Sequence, residues 1–152
     1  MFKMLIADKN SIDDEKCQEK NSLFQVVHYS RVPEILKRFP NRKKVLISRN
    51  PPNKQDDSFW IWVSKVDHPN AVSPSELYVI EQKVWEIIEK ESPIIVLDAF
   101  EYLMIEQGLE ASLKFTGKLR DMALLNNSGF IVSISEGLDK RVIALLKRIV
   151  EG

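Results

Sequence analysis

The sequence predicts an α/β domain with a mainly parallel sheet and helices on both faces. Short apolar runs of strand type alternate with amphipathic helical segments, which is the pattern of parallel strands joined by crossover helices. Residues 94–98 (IIVLD) form a continuous apolar run that closes on an acid, and such a run suits a strand covered on both faces. We therefore expect three layers, with the sheet between two layers of helices.

The amino-terminal third is the least regular part of the chain. Residues 2–7 (FKMLIA) are a candidate strand, and the polar residues 9–22 indicate a loop or a short exposed helix. Residues 24–29 (FQVVHY) are rich in β-branched and aromatic types and predict a strand. A helix follows, because four apolar residues recur at helical spacing before Pro40 stops it. These residues are Val32, Ile35, Leu36 and Phe39.

Two further strands and a helix are predicted next. Residues 45–48 (VLIS) and 59–63 (FWIWV) are apolar strand types, and the polar stretch between them predicts a loop. Ser73 and Glu76 have the spacing of a capping box, with Pro74 at the first helical position. We expect the helix that follows to end at about residue 90, before a Ser-Pro pair.

The second half of the chain continues the alternation. Beyond the strand that ends at Asp98, residues 100–126 predict one helix, or two short helices split near Gly108. Residues 129–134 (GFIVSI) predict a strand, and five apolar residues mark a last amphipathic helix. These are Leu138, Val142, Leu145, Leu146 and Ile149.

The length of the chain favours one compact domain. A chain of 152 residues buries roughly 68–70% of its unfolded surface, so it needs no disulfide or metal to fold. We expect a single domain over residues 1–152, with the α/β core at residues 30–150. Residues 1–25 are predicted to be an N-terminal extension or an edge strand.

Composition excludes several classes of function. The 22 basic and 22 acidic residues balance, so we expect no nucleic-acid partner, although basic residues cluster at 37–49. The longest apolar run, residues 94–97, is far shorter than the ~20 residues of a membrane helix, so no membrane association is expected. The one cysteine, Cys17, fits a reducing cytoplasm. Cys17, His28 and His68 lack the spacing of a metal site, and we expect no metal.

The motifs of several enzyme classes are absent from the sequence. A nucleotide hydrolase needs a glycine-rich loop with Gly-Lys-Ser/Thr, because glycine lets backbone N–H groups approach the phosphates. The turn after residues 24–29 has neither glycine nor lysine, and Gly117-Lys118 leads into Leu119. The chain also lacks a GxGxxG motif for dinucleotides and a GxSxG nucleophile elbow. We therefore expect no catalytic residue and no cofactor.

Polar residues that follow the predicted strands form the candidate site. In open α/β sheets, ligands bind beyond the carboxyl ends of the strands. The polar residues there are Arg49, Asn50, Ser64, Lys65, Asp98, Glu101, Ser135 and Glu136. If the sheet is parallel, these residues gather on one edge.

Asp98 is the sharpest single candidate of this set. Many nucleotide-hydrolysing proteins hold Mg²⁺ with an aspartate near the end of an apolar strand. The alternative is that Asp98 caps the following helix, with Glu101 completing a capping box. A charge pair with Arg49 or Lys65 is a second structural role open to it.

The tryptophans also have two interpretations. Trp60 and Trp62 share one face of their strand, and Phe59 and Ile61 share the other. Bulk on both faces indicates a buried strand, and an aromatic platform for a ligand is the functional alternative. Trp85 neighbours the apolar side of its helix and would mark an interface if it were exposed.

Four short motifs follow one another in a fixed order along the chain. They are Ser48-Arg49 with prolines at 51 and 52, Trp62-Val63-Ser64, Asp98-Ala99-Phe100-Glu101-Tyr102-Leu103 and Leu119-Arg120-Asp121. This ordered set, over about residues 30–150, resembles an archaeal family called domain of unknown function 835. Ala99 stands where that family usually has Gly, and Ser48 stands where it usually has Thr.

The resemblance implies a fold that is RecA-like in outline but lacks a phosphate-binding loop. It also implies that the protein is a degenerate relative of the RecA and KaiC ATPases. We accordingly expect a non-catalytic regulatory or protein-interaction domain of an archaeal cytoplasm, with a protein partner or self-association. The alternative is a domain that binds a nucleotide or another small anionic ligand at the carboxyl edge, and an enzyme of unrecognised chemistry is the third possibility. The candidate ligand-binding residues are Arg49, Asp98, Glu101, Arg120 and Asp121.

Overall fold

The structure, a computed structural model, describes residues 23–152. In this part of the chain, six parallel strands form one sheet. The strands are β1 (Phe24–His28), β2 (Lys44–Ser48), β3 (Phe59–Val63), β4 (Ala71–Val72), β5 (Ile94–Leu97) and β6 (Gly129–Ile134). Their order across the sheet is β1-β6-β5-β2-β3-β4, and every neighbouring pair is parallel. The predicted α/β class is therefore confirmed. The expected strand at 2–7 and loop or helix at 9–22 lie outside the described residues.

Five α-helices accompany this sheet in the described residues. They are α1 (Val32–Lys37), α2 (Leu77–Ile88), α3 (Phe100–Gln107), α4 (Leu109–Leu125) and α5 (Lys140–Val150), with a 3₁₀ turn at Tyr29–Arg31 before α1. Of the two alternatives for residues 100–126, the pair of helices split near Gly108 is confirmed, because Gly108 lies between α3 and α4 with a φ of 88°. Among the described residues, no helix is long and apolar enough to cross a membrane.

The direction of the chain across the sheet reverses between β2 and β5. From β1 the chain crosses to β2 and then adds β3 and β4 on the far side. From β4 it returns to β5 and then adds β6 toward β1. Connections that leave the carboxyl ends of β2 and β5 thus run in opposite directions, and a parallel sheet forms its binding crevice at such a switch point.

The helices cover both faces of the sheet, as predicted, but unequally. Helices α2, α4 and α5 pack side by side on one face, where Lys118 of α4 forms an ion pair with Glu81 of α2 at 2.9 Å. Helix α1 lies on the other face, where Leu36 lines a cavity together with Leu46 and Val96. Right-handed crossovers account for this division, because connections that run in opposite directions across a sheet reach opposite faces.

The core lies at the centre of the sheet. Every residue of β5 and of β6 is buried, which is the pattern that the continuous apolar run predicts. The largest fully buried side chains come from both faces and all three layers. They are Phe100, Phe130, Ile35, Ile47, Ile80, Ile94, Ile95, Leu97, Leu103, Leu119, Ile131 and Leu146.

Two sequence predictions about this region were incomplete or wrong. The capping box does not form: α2 begins at Leu77, and the backbone N–H of Glu76 donates to the carbonyl of Ser73 at 3.0 Å. Pro74 is buried in a turn before the helix and does not occupy its first position. Strand β4 was missed because it has two residues and therefore no alternation to detect.

Candidate functional site

The carboxyl ends of β2 and β5 meet side by side at the switch point. Ile47 is paired with Leu97, and the N–H of Asp98 donates to the carbonyl of Ile47 at 2.8 Å. This continuation of the ladder places the Ser48 hydroxyl against Asp98, to whose Oδ2 it donates at 3.2 Å. Ser48 is 1% exposed and also accepts the N–H of Asn50, whereas Asp98 is exposed. A buried hydroxyl thus orients an open carboxylate.

Arg49 is exposed, and its guanidinium lies over an aromatic ring. The guanidinium carbon is 4.5 Å from the centroid of the Tyr102 ring, in the first turn of α3. Among the described residues, no hydrogen bond or ion pair joins the Arg49 side chain to Asp98. The charge pair with Arg49, one of the structural roles open to Asp98, therefore does not form, and the two opposite charges stand on adjacent strand ends without a direct bond between them.

The backbone beneath Arg49 is held by the two tryptophans of β3. The indole N–H of Trp62 donates to the carbonyl of Arg49 at 3.0 Å, and that of Trp60 donates to the carbonyl of Asn50 at 2.9 Å. The Trp62 ring also lies 5.3 Å from the ring of His68. The indoles are partly buried and anchor the loop after β2, so their polar atoms are already used.

Glu101 serves as a brace between α3 and the end of β6. Its Oε2 accepts the N–H of Ser135 at 2.9 Å, and its Oε1 accepts the Ser135 hydroxyl at 2.6 Å. The predicted capping box with Asp98 is absent, because the residue that precedes α3 is Ala99 and makes no side-chain cap. The alternative pairing of Asp98 with Lys65 was also wrong, since Lys65 pairs with Glu106 at 2.7 Å.

The outer part of the same edge carries a histidine–carboxylate pair. His28 Nε2 lies 2.7 Å from the Oε2 of Glu136, and His28 Nδ1 accepts the N–H of Ser30 at 3.3 Å. The hydrogen bond with His28 is the main reason that the pKa of Glu136 is lowered, and the N–H of Glu136 itself adds to the effect. The carboxyl edge is thus lined by polar pairs from β1 to β3.

Arg120 and Asp121 lie at the opposite end of the sheet. Arg120 donates to Asp121 at 3.2 Å, and its guanidinium carbon is 6.0 Å from the ring centroid of Phe24, the first residue of β1. Of the five candidate ligand residues, the structure therefore brings Arg49 and Asp98 together. It places Glu101 on the same edge, facing Ser135, and it separates Arg120 and Asp121 from them.

Two residues of the site went unassigned in the sequence. Ser48 is the residue that orients Asp98, and Tyr102 is the residue on which Arg49 rests. Ser48 could have been found from its position, because it is the last residue of β2 and parallel strands end at the same edge of the sheet. The sequence indicates Tyr102 less clearly, through its place in the first turn of the helix that follows β5.

The turn between β1 and α1 does not form a phosphate cradle. The N–H of Ser30 is taken by His28, Pro33 removes a donor from the first turn, and Arg31 before α1 makes no side-chain cap. Within residues 23–152, no group of three or more His, Cys, Asp or Glu side chains is placed to hold a metal ion. The charged residues that directly follow β2 and β5 are Arg49 and Asp98.

Fold and site together define an α/β domain whose parallel sheet carries an unpaired arginine and aspartate at its switch point. The family model described as protein of unknown function (DUF835) matches residues 26–150. The chain belongs to this family, which confirms the resemblance seen in its ordered motifs. No curated protein matches the chain in sequence.

Proposed function

We propose that this domain binds a small anionic ligand of the nucleotide class at the switch point between β2 and β5. Arg49 meets a phosphate group, and Asp98 accepts a ribose hydroxyl or holds the cation that accompanies the phosphate. The observation that carries the proposal is the unpaired state of Arg49 and Asp98 on adjacent strand ends.

The surroundings of the two residues favour binding over simple surface exposure. The Trp62 and Trp60 bonds hold the backbone of Arg49 and Asn50, and Ser48 holds the Asp98 carboxylate. Tyr102 supports the guanidinium from one side, and an aromatic face leaves the N–H donors of the guanidinium without hydrogen-bond partners. Groups that are held before a ligand arrives lose less conformational freedom on binding, which increases affinity.

The same geometry supports binding without hydrolysis. The β1–α1 turn offers no cradle of free N–H groups, and Glu101 is committed to Ser135. One carboxylate and one guanidinium can hold a nucleotide but lack the clamp that stabilises a transferring phosphoryl group. Binding without hydrolysis is consistent with a regulatory role. The archaeal cytoplasm and the relation to RecA-like ATPases stay predictions.

A thermal-denaturation panel tests the proposal. ATP, ADP, AMP, GTP and inorganic pyrophosphate are each added with and without Mg²⁺, and the melting temperature of the wild-type chain is compared with that of Arg49→Ala and Asp98→Asn. A ligand at 100 times its Kd adds about 2.7 kcal/mol, which raises the Tm of a domain of this size by roughly 5–11 °C. We expect at least one nucleotide to do so in the wild type, and Arg49→Ala to abolish the shift.

The matched control is Arg148→Ala, an exposed arginine near the end of α5, which should keep the full shift. The proposal is wrong if no compound in the panel shifts the wild type. It is equally wrong if the shift survives in both Arg49→Ala and Asp98→Asn.

A second candidate function is protein contact through the same end of the sheet. Val66 is 51% exposed and Ile105 is 77% exposed. The ion pair between Lys65 and Glu106 joins the two segments that carry them. Exposed apolar side chains beside a charged edge offer apolar contact to a partner. We propose that a second copy of the chain is the partner. Sedimentation velocity should show a dimer that Ile105→Asp removes and that Leu125→Asp, at the other end, keeps. A monomer at every concentration would exclude it.

A further inference from the structure

A cavity of about 350 Å³ lies at the amino ends of β2 and β3, at the opposite end of β2 from Arg49. Its floor is apolar and consists of Leu36 of α1, Leu46 of β2 and Val96 of β5. Its rim is polar and comes from the segment before β2 and from the end of the loop before β3. This volume lies at the lower end of the range for small-molecule sites, and an apolar floor with a few polar groups is their usual composition.

Lys44 is the half-buried lysine of this cavity, which Arg42 and the exposed Lys43 also line. It is the first residue of β2, and strand alternation places its side chain on the same face as Leu46. The side chain is half-buried, and no hydrogen bond or ion pair joins its ammonium group to another residue within 23–152. Its charge contributes to the lowered pKa of Asp56, after the larger effect of two hydrogen bonds from Ser58. A half-buried ammonium without a direct partner has donors available for a ligand.

Asp57 is one of two carboxylates that the loop before β3 contributes to the rim. Asp56 is already engaged, since its Oδ1 accepts the N–H of Ser58 at 2.9 Å and the Ser58 hydroxyl at 2.6 Å. Asp57 lines the cavity, is exposed, and makes no side-chain bond to another described residue. Arg42 has a different role in the wall, where it donates to the carbonyls of Ser92 and Asn127 and so holds the segment in place.

We propose that this cavity binds a small zwitterion with an apolar side chain, of the class of apolar α-amino acids. The ligand carboxylate meets Lys44, its ammonium group meets Asp57, and its side chain packs on Leu36, Leu46 and Val96. A half-buried ammonium group, a carboxylate with no side-chain partner among residues 23–152 and an apolar floor within one small cavity match the three parts of such a molecule. The proposal is independent of the nucleotide site, because no residue is shared between them.

Isothermal titration with a series of matched compounds tests this assignment. Leucine carries all three parts, 4-methylpentanoate lacks the ammonium group, and 3-methylbutylamine lacks the carboxylate. Each missing group leaves one charged side chain without its partner, so we expect each partial analogue to bind about tenfold more weakly than leucine or worse. Methionine and phenylalanine measure how much side chain the floor accepts.

Two variants assign the ends of the ligand. In Lys44→Gln, leucine should bind no better than 3-methylbutylamine, because the partner of the carboxylate is gone. In Asp57→Asn, leucine should bind no better than 4-methylpentanoate. Lys54→Gln, an exposed lysine of the same loop outside the cavity, is the matched control and should leave all affinities unchanged. Arg49→Ala should also leave them unchanged.

Several results would overturn the proposal. One is the absence of binding by leucine, methionine and phenylalanine alike. Another is equal binding of leucine and of either partial analogue by the wild-type chain. Loss of leucine binding in Arg49→Ala or in Lys54→Gln would place the ligand elsewhere. Because Asp57 is exposed and makes no bond to the fold, a folded Asp57→Asn protein with unchanged leucine affinity would also refute it.

Discussion

At the scale of single residues, the unpaired Arg49 and Asp98 show how little alternative surface contacts differ in free energy. A cation over an exposed aromatic ring is stabilised by about 0.5–1 kcal/mol. An exposed ion pair is worth about 0–1 kcal/mol. Arg49 therefore gains as much from Tyr102 as it would from Asp98, and leaving Asp98 open costs almost nothing. This balance is what allows the edge to keep two charges available for a ligand.

The His28–Glu136 pair makes a prediction about pH. Since a hydrogen bond to His28 is the largest cause of the lowered pKa of Glu136, His28→Ala should move that pKa up toward its ordinary value. A lowered carboxyl pKa stabilises the fold above the ordinary pKa, and that contribution is lost as pH falls through the lowered value. An NMR titration of the Glu136 carboxyl carbon in both proteins measures the change.

His68→Ala is the matched control for this titration, because His68 contacts Trp62 and lies outside the pair. It should leave the Glu136 titration as it is in the wild type. An unchanged Glu136 pKa in His28→Ala would show that His28 does not cause the lowering.

At the scale of elements, the break between α3 and α4 depends on one glycine. Gly108 has φ 88° and ψ 165°, a region that side-chain-bearing residues rarely adopt, and nothing lies within 4 Å of the position of a Cβ there. The cost of Gly108→Ala is therefore backbone strain without a clash. We expect a loss of about 1–3 kcal/mol in the free energy of unfolding, measured by urea denaturation.

Gly117 offers a matched contrast inside α4. Its backbone is helical, and a Cβ would meet Ile149 Cγ2 at 3.6 Å, an ordinary contact. Gly117→Ala should therefore stabilise the chain by about 0.5–1 kcal/mol, because glycine in a helix interior loses more entropy on folding than alanine does. If both alanine variants changed stability in the same direction, the strain assigned to Gly108 would be wrong.

The start of α2 shows where local patterns fail for elements. Ser73 and Glu76 have the spacing of a capping box, yet their backbones form a turn and the helix begins after it. Pro74 is buried in this turn, and the packing of its ring is a contact that spacing does not reveal. A cap motif predicts that a helix starts nearby, but burial of the flanking residues decides at which residue.

At the scale of the whole molecule, one continuous core joins the sheet to the helices on both faces. We therefore expect a single cooperative unfolding transition. Far-UV circular dichroism reports the helices, and the fluorescence of Trp60 and Trp62 in a Trp85→Phe background reports β3. The two urea curves should coincide, with a slope of about 1–3 kcal/mol per M. Different midpoints for the two probes would show that β3 unfolds apart from the helices.

Trp85 itself is 42% exposed, which meets the condition that the sequence set for an interface residue.

The structure also locates the basic cluster at residues 37–49 relative to the sheet. Its members divide between the two ends of β2, with Lys44 at the cavity and Arg49 at the switch point. A neutral overall charge therefore coexists with two separate cationic positions.

The sequence by itself determined five of the six described strands, most of the helices and the edge on which polar residues gather. Those features follow from periodicity and from the direction of parallel strands, which are local properties of the chain. Only the tertiary structure decided the partners: Asp98 with Ser48, Glu101 with Ser135, and His28 with Glu136 across 108 positions. Such partners are chosen by distances between remote segments and by energy differences near 1 kcal/mol, and no spacing within one segment encodes either.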